Sequence, residues 1–233
     1  WIKYKPKHPK IFIKVNNVSQ IQEIVKCAKK NNYPLAVRCG GHSYEKYSYG
    51  DHNSIVIDLG KLKNMSIDAK QKTVSIQAGA LLGEVYYYLW ENGQYGIPAG
   101  ACPLVGIAGH SMGGGLGYFN RKYGVLADNL MEAHMVNIKG ELIIANENAN
   151  EDLFWALRGA GKGNFGIVTQ LIFRIFEASI NVTLIEKSFN NSVLGFLNYQ
   201  RWILSNPSKS VSSSFLSQQG SAKATFFIQP DSE

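Results

Sequence analysis

Apolar residues Ile21, Ile24, Val25 and Ala28 recur at helical spacing, and the pattern breaks near Asn31-Asn32 and Pro34. The stretch predicts an amphipathic helix. Ser19, followed three residues later by Gln22, reads as a capping box that starts it, and Cys27 within it is expected to be a small buried residue. Residues 35–38 and 54–59 read as short buried strands on either side of a loop that carries His42. Residues 73–78 alternate as a strand, and 82–91 read as a helix closed by Asn92-Gly93. Further along, 131–138 and 141–145 flank Lys139-Gly140, a predicted hairpin turn. Residues 152–158 predict a short helix ended by Gly159-Ala160-Gly161, and 166–176 a long alternating strand. Strand-and-helix units followed by a more antiparallel section define an α+β chain. Near Ala178 the composition shifts to Ser/Asn-rich stretches with a helix around 194–204. That shift places a domain boundary between 1–177 and 178–233.

With 233 residues, 45% hydrophobic and 18% charged, the chain can bury a sizeable core and lacks the composition of disorder. No run of eighteen apolar residues occurs, so no transmembrane helix and no membrane partner are expected. No charged-then-apolar leader follows Trp1; the expectation is a removed leader or a piece of a longer protein. The net charge of +7 gathers mainly in Lys3, Lys5, Lys7, Lys10 and Lys14, without an interleaved aromatic stripe. It reads as a solvated surface and not as a nucleic-acid site. Cys27, Cys39 and Cys102 form no C-x-x-C and no zinc spacing, so no metal is expected. Asn17, Asn64, Asn181 and Asn190 each open an N-x-S/T sequon, which leans toward a secreted protein.

Two segments carry the candidate chemistry. In Arg38-Cys39-Gly40-Gly41-His42-Ser43, paired glycines after a strand let successive amides point into one concavity that favours phosphate. Taken alone, the segment reads more simply as a tight turn with a hydrogen-bonded histidine. The second runs from Gly100 through Cys102 and Pro103 to Gly117. Its many glycines make poor generic core and suit close approach to something flat or anionic. Taken singly, Cys102 reads as a packed thiol, His110 as a core histidine and Gly113-Gly114-Gly115 as a flexible loop. Neither G-x-G-x-x-G nor G-x-x-x-x-G-K-[ST] occurs in a strand–turn–helix setting, which argues against a Rossmann site and a P-loop.

Those two blocks, together with Asp152-Leu153-Phe154-Trp155-Ala156-Leu157-Arg158-Gly159 and Gly163-Asn164-Phe165-Gly166-Ile167-Val168-Thr169, carry a resemblance. From about Pro34 to Phe176 the chain resembles the PCMH-type FAD-binding domain of the berberine bridge enzyme-like oxidases, within the vanillyl-alcohol oxidase superfamily. The resemblance implies a domain of two α/β subdomains followed by an incomplete substrate domain. It implies FAD bound covalently, His42 bonding the 8α-methyl carbon of the flavin and Cys102 ring carbon C6. Arg38, Gly40, Gly41 and Ser43 match the pyrophosphate loop. Gly106, Gly109, His110, Gly114, Gly115 and Gly117 match backbone around the flavin and its ribityl chain. Gly163, Phe165, Gly166 and Val168 match the segment closing over the dinucleotide. Val105 matches the position that gates oxygen, where a small side chain leaves room beside the reactive ring.

The implied activity is hydride removal from a carbohydrate, alcohol or secondary metabolite, with molecular oxygen reduced to hydrogen peroxide. The base that takes the substrate proton is expected beyond Glu233. A dehydrogenase with poor oxygen reactivity and a non-catalytic flavin-binding homologue both stay open, as does the oligomeric state.

Overall fold

The computed structural model describes residues 7–161 and 163–229. β1 (Ile11–Lys14), α1 (Val18–Lys30), β2 (Leu35–Arg38) and β3 (Ile55–Asp58) form a small α/β unit whose parallel sheet has the order β1-β3-β2. Central β3 is buried along its whole length, whereas edge strand β2 is only half-buried. α1 starts at Asn17, not at a Ser19–Gln22 box: the Asn17 side chain accepts the Gln20 N–H at 3.0 Å and the Ser19 hydroxyl at 2.8 Å. Gln22 instead donates to the Gly140 carbonyl at 2.9 Å. Cys27 is exposed, contrary to expectation. Ile21, Val25 and Ala28 form the buried stripe, and at about 100° per residue Cys27 lies on the far side from Val25.

The second unit holds β4 (Met65–Asp68), β5 (Thr73–Gln77), α2 (Leu82–Glu91), β6 (Tyr95–Gly96), α3 (Ile107–Ser111), α4 (Asn120–Tyr123), β7 (Leu130–Val136), β8 (Leu142–Asn146), α5 (Glu151–Leu157) and β9 (Ile167–Arg174). Its five-stranded antiparallel sheet has the order β4-β5-β9-β7-β8. The predicted hairpin joins β7 to β8, with Gly140 in the left-handed region. The predicted strand 166–176 is divided. After β9, Ile175 bonds to the Lys72 carbonyl, and β10 (Phe176–Glu177) pairs with β6 in a separate two-stranded ribbon. Phe154, Phe173, Ile21, Ile57, Ile76 and Leu89 are fully buried in a core that joins the two units. Each such side chain contributes about 1.5–3 kcal/mol.

A third sheet, order β11-β13-β12, is built from β11 (Thr183–Phe189), β12 (Val211–Gln218) and β13 (Ser221–Ile228), with α6 (Ser192–Leu204) across one face. α6 begins two residues before the predicted helix because Asn191 caps it, accepting the Leu194 N–H at 3.0 Å. Tyr199 and Trp202 seat the helix on Ser213, Phe215 and Phe226. Ser212 and Phe227 are cross-strand partners on the opposite face. The Ser212 hydroxyl donates to the Tyr118 carbonyl, and the Phe227 ring stacks on Tyr118. Arg121 donates to the Val211 and Pro207 carbonyls at 3.0 and 2.6 Å, fastening this sheet to the glycine-rich half of the chain.

Candidate functional site

The chain leaves β2 at Arg38, which is paired in register with Asp58 on β3. Asp58 is a buried carboxylate and needs a counter-charge; the Arg38 guanidinium supplies it. Burial works to lower the pKa of Arg38, but Asp58 and Tyr49 outweigh it and hold the cation. Arg38 therefore braces the loop that follows. Gly41 has φ +72°, and a Cβ there would lie 2.7 Å from the Tyr49 hydroxyl, so only glycine fits. The Ser43 hydroxyl accepts the Tyr47 N–H at 3.2 Å. His42, between these anchors, is exposed.

The segment from Gly100 to Gly106 is strapped down on both sides. On one, Gly83 N–H bonds to the Pro103 carbonyl and Leu82 N–H to the Val105 carbonyl, both at 2.9 Å, from the start of α2. On the other, Gly100 N–H donates to His110 Nε2 at 2.9 Å, and the Tyr86 hydroxyl donates to the Gly100 carbonyl. The His110 imidazole, carried on α3, thus serves the Cys102 segment, with Nε2 as acceptor. Between the straps Cys102 is exposed and unpaired, and Val105 is half-buried against the core.

The two loops meet. A Cβ on Gly40 would lie 2.5 Å from the Gly106 amide nitrogen and 2.7 Å from the Leu104 carbonyl oxygen. His42 is two residues from Gly40 and Cys102 two residues from Leu104, about 7 Å of chain each at most. The loops that carry His42 and Cys102, residues sixty positions apart, are therefore in contact. Cys39, whose Sγ faces Gly106, is the other nearby thiol. Burial pushes its pKa up to about 11 against the pull of the Ala108 and Gly40 amides, which leaves it protonated near neutrality.

The remaining blocks join the same region. Gly117 abuts the Ala99 carbonyl, and Gly115 backs onto His110 and Leu126. The amide of Gly161 donates to the Met112 carbonyl at 3.3 Å, tying the loop of Gly163 and Phe165 to the end of α3. Gly166 packs on Met135 and Val136. The Val168 side chain points into the core, so only its backbone can serve a ligand. Cβ atoms on Gly109, Gly114 or Gly163 would meet nothing within 4 Å. Leu104 and Leu116 are 62% and 75% exposed, and Phe165 is exposed too, an unusual show of apolar surface for motif loops. Sequence reasoning missed Leu104, Leu116, Tyr86 and Asp58; a lone Asp at the end of the apolar run Ile55-Val56-Ile57 was the one readable signal. These features fit a flat, partly anionic cofactor: open glycine faces, exposed apolar side chains, and two accessible groups able to bond carbon.

Comparison with known proteins identifies that cofactor class as FAD. A family model described as FAD binding domain matches residues 9–146. The chain is 39% identical over 180 residues to Berberine bridge enzyme-like 8 of Arabidopsis thaliana, covering 76% of this chain and 34% of that protein. Physcomitrella patens BBE-like 1 superposes with a TM-score of 0.90 at 37% identity, covering 94% of this chain and 48% of that one. Xylooligosaccharide oxidase from Myceliophthora thermophila gives a TM-score of 0.91 at 33% identity, with 97% and 49% covered. The chain belongs to the FAD-binding domain family of the berberine bridge enzyme-like proteins, and its mixed helix-and-sheet architecture is their PCMH-type fold. It spans about a third of the length of the curated relative and about half of the solved chains. Among the described residues no helix is long and apolar enough to cross a membrane.

Proposed function

We propose that this chain holds FAD through two covalent bonds, at His42 and Cys102, and that the whole protein is an exported FAD-dependent oxidase. Its substrate is a carbohydrate, an alcohol or a secondary metabolite, and its acceptor is molecular oxygen, yielding hydrogen peroxide. The contact of Gly40 with Leu104 and Gly106 carries the reading, because it sets the exposed imidazole and the exposed thiol on neighbouring loops. Bound FAD supplies two-electron acceptance from a substrate C–H bond.

The chain's own residues bind and orient. The amides of Gly40 and Gly41, with Ser43, would hold the pyrophosphate, and Arg38 braces that loop from Asp58. Backbone at Gly106, Gly109, His110, Gly114, Gly115 and Gly117 would hold the flavin and ribityl chain, and Gly163, Phe165, Gly166 and Val168 the rest of the dinucleotide. The His110 ring positions the Cys102 segment through Gly100. Val105 keeps a path for oxygen open. Residues 1–177 form the FAD-binding domain and 178–233 begin the substrate domain. The oligosaccharide oxidase among the structural neighbours supports carbohydrate first among the substrate classes.

The test is to add a panel of oligosaccharides and alcohols to the whole protein, loaded with FAD, under anaerobic conditions, then to admit air. The reading expects bleaching by at least one compound and rapid return of colour with peroxide. Bleaching followed by slow recovery would make it a dehydrogenase, and no bleaching by any compound would leave a flavin-binding protein without this activity.

A further inference from the structure

The four sequons stand in different settings. Asn17 caps α1, its side-chain oxygen accepting from Gln20 and from the hydroxyl of its own sequon's Ser19. Asn190 directly precedes the cap of α6, and its Ser192 is the half-buried first residue of that helix. At Asn181, N–H and carbonyl both bond to Ser179 Oγ ahead of β11.

Asn64 differs. Its main chain is clamped to Gln77: the Asn64 N–H donates to Gln77 Oε1 at 3.0 Å, and the Asn64 carbonyl accepts the Gln77 N–H at 2.9 Å. The side-chain amide is exposed and makes no hydrogen bond among the described residues. β4 follows at once, with Met65 and Ile67 half-buried and Ser66 and Asp68 exposed. Residues two apart on extended chain share a face, so the Asn64 amide and the Ser66 hydroxyl stand together on the solvent side. β4 is also an edge of the five-stranded sheet.

We propose that Asn64 carries an N-linked glycan. The inference rests on the reading of the protein as exported. In the transfer, Asn64 Nδ2 bonds the anomeric carbon of an oligosaccharide carried on a polyprenyl diphosphate. The bond from that carbon to the diphosphate oxygen breaks, the polyprenyl diphosphate leaves, and the amide proton passes to the transferring enzyme's base. The sugar then stands beside an unpaired strand edge, where bulk and hydration oppose edge-to-edge association.

To test it, the 233-residue chain is expressed behind a cleavable secretion leader in a eukaryotic host, and the secreted protein is treated with N-glycosidase in heavy-oxygen water. The Asn64 peptide is expected to return as labelled Asp. Asn64→Gln and Ser66→Ala should each lose the mass of one glycan, the second while keeping the asparagine. An unmodified Asn64 peptide, or wild-type glycan mass in both variants, overturns the site. Because the leader enforces export, that result judges Asn64 alone. Protein recovered unglycosylated from its native source, beside a glycosylated leader-driven form, supports the site and overturns export.

Discussion

Gly40 and Gly106 lie backbone against backbone. A Cβ on Gly40 would stand 2.5 Å from the Gly106 nitrogen, and a Cβ on Gly106 would stand 2.2 Å from Cys39 Sγ and 2.6 Å from the Gly40 nitrogen. Neither residue can grow without parting the loops that carry His42 and Cys102. Gly106→Ala should cost about 1–3 kcal/mol, the usual range for overpacking, and should lower the flavin content of purified protein. Thermal unfolding and the ratio of visible to ultraviolet absorbance measure both effects.

Gly109→Ala separates binding from folding. The added methyl meets no atom within 4 Å in the bare protein, so flavin-free protein should unfold at nearly the wild-type temperature. Flavin loading should still fall, because the methyl enters space assigned to the cofactor. Wild-type loading of this variant would move the cofactor away from α3.

Acid should weaken the fold through Glu84. Burial works to raise its pKa, but Lys63 and the Leu81 amide outweigh it and hold the carboxylate below its ordinary value of 4.5. A depressed folded pKa gives stability that is present above the unfolded value and is lost as pH falls through the folded one. Glu132 acts in the same direction, lowered chiefly by its hydrogen bond to His134, which outweighs burial, with Asn146 adding to the fall. The unfolding temperature should therefore decline below about pH 5, and Glu84→Gln should flatten that decline.

Asn120 is a stabilisation target. Both polar atoms of its side-chain amide are buried and have no hydrogen-bond partner among the described residues. An unsatisfied buried polar group costs about 1–3 kcal/mol. Asn120→Leu, similar in size, should raise the unfolding temperature of flavin-free protein. A fall would show that the amide is satisfied in solution.

Val105→Leu narrows the route proposed for oxygen. Reoxidation of reduced enzyme by air should slow about tenfold, a barrier change of about 1.4 kcal/mol, with anaerobic reduction unaffected. Stopped-flow mixing with aerated buffer reads the first rate directly.

Much of this fold was legible because local signals agreed with tertiary packing. The stripe of Ile21, Val25 and Ala28 set the buried face of α1, and the close of α2 at Asn92 followed from the sequence. Errors arose where a side chain chose between nearby partners. Asn17 took the cap that Ser19 was expected to make, and Gln22 was drawn away to Gly140. Cys27 was misjudged because thiols are often buried, although its angular position already placed it outward. The motifs marked the loops of the proposed site but not what holds them. The roles of Tyr86 and of the His110 ring depend on Gly100, a backbone contact with no pattern in the sequence.

The most direct measurement is peptide mass analysis of denatured, protease-digested holoprotein. The account predicts one FAD mass joining the His42 peptide to the Cys102 peptide, a cysteine-only adduct in His42→Ala and a histidine-only adduct in Cys102→Ala. Release of unmodified FAD from the wild-type chain on denaturation would contradict it.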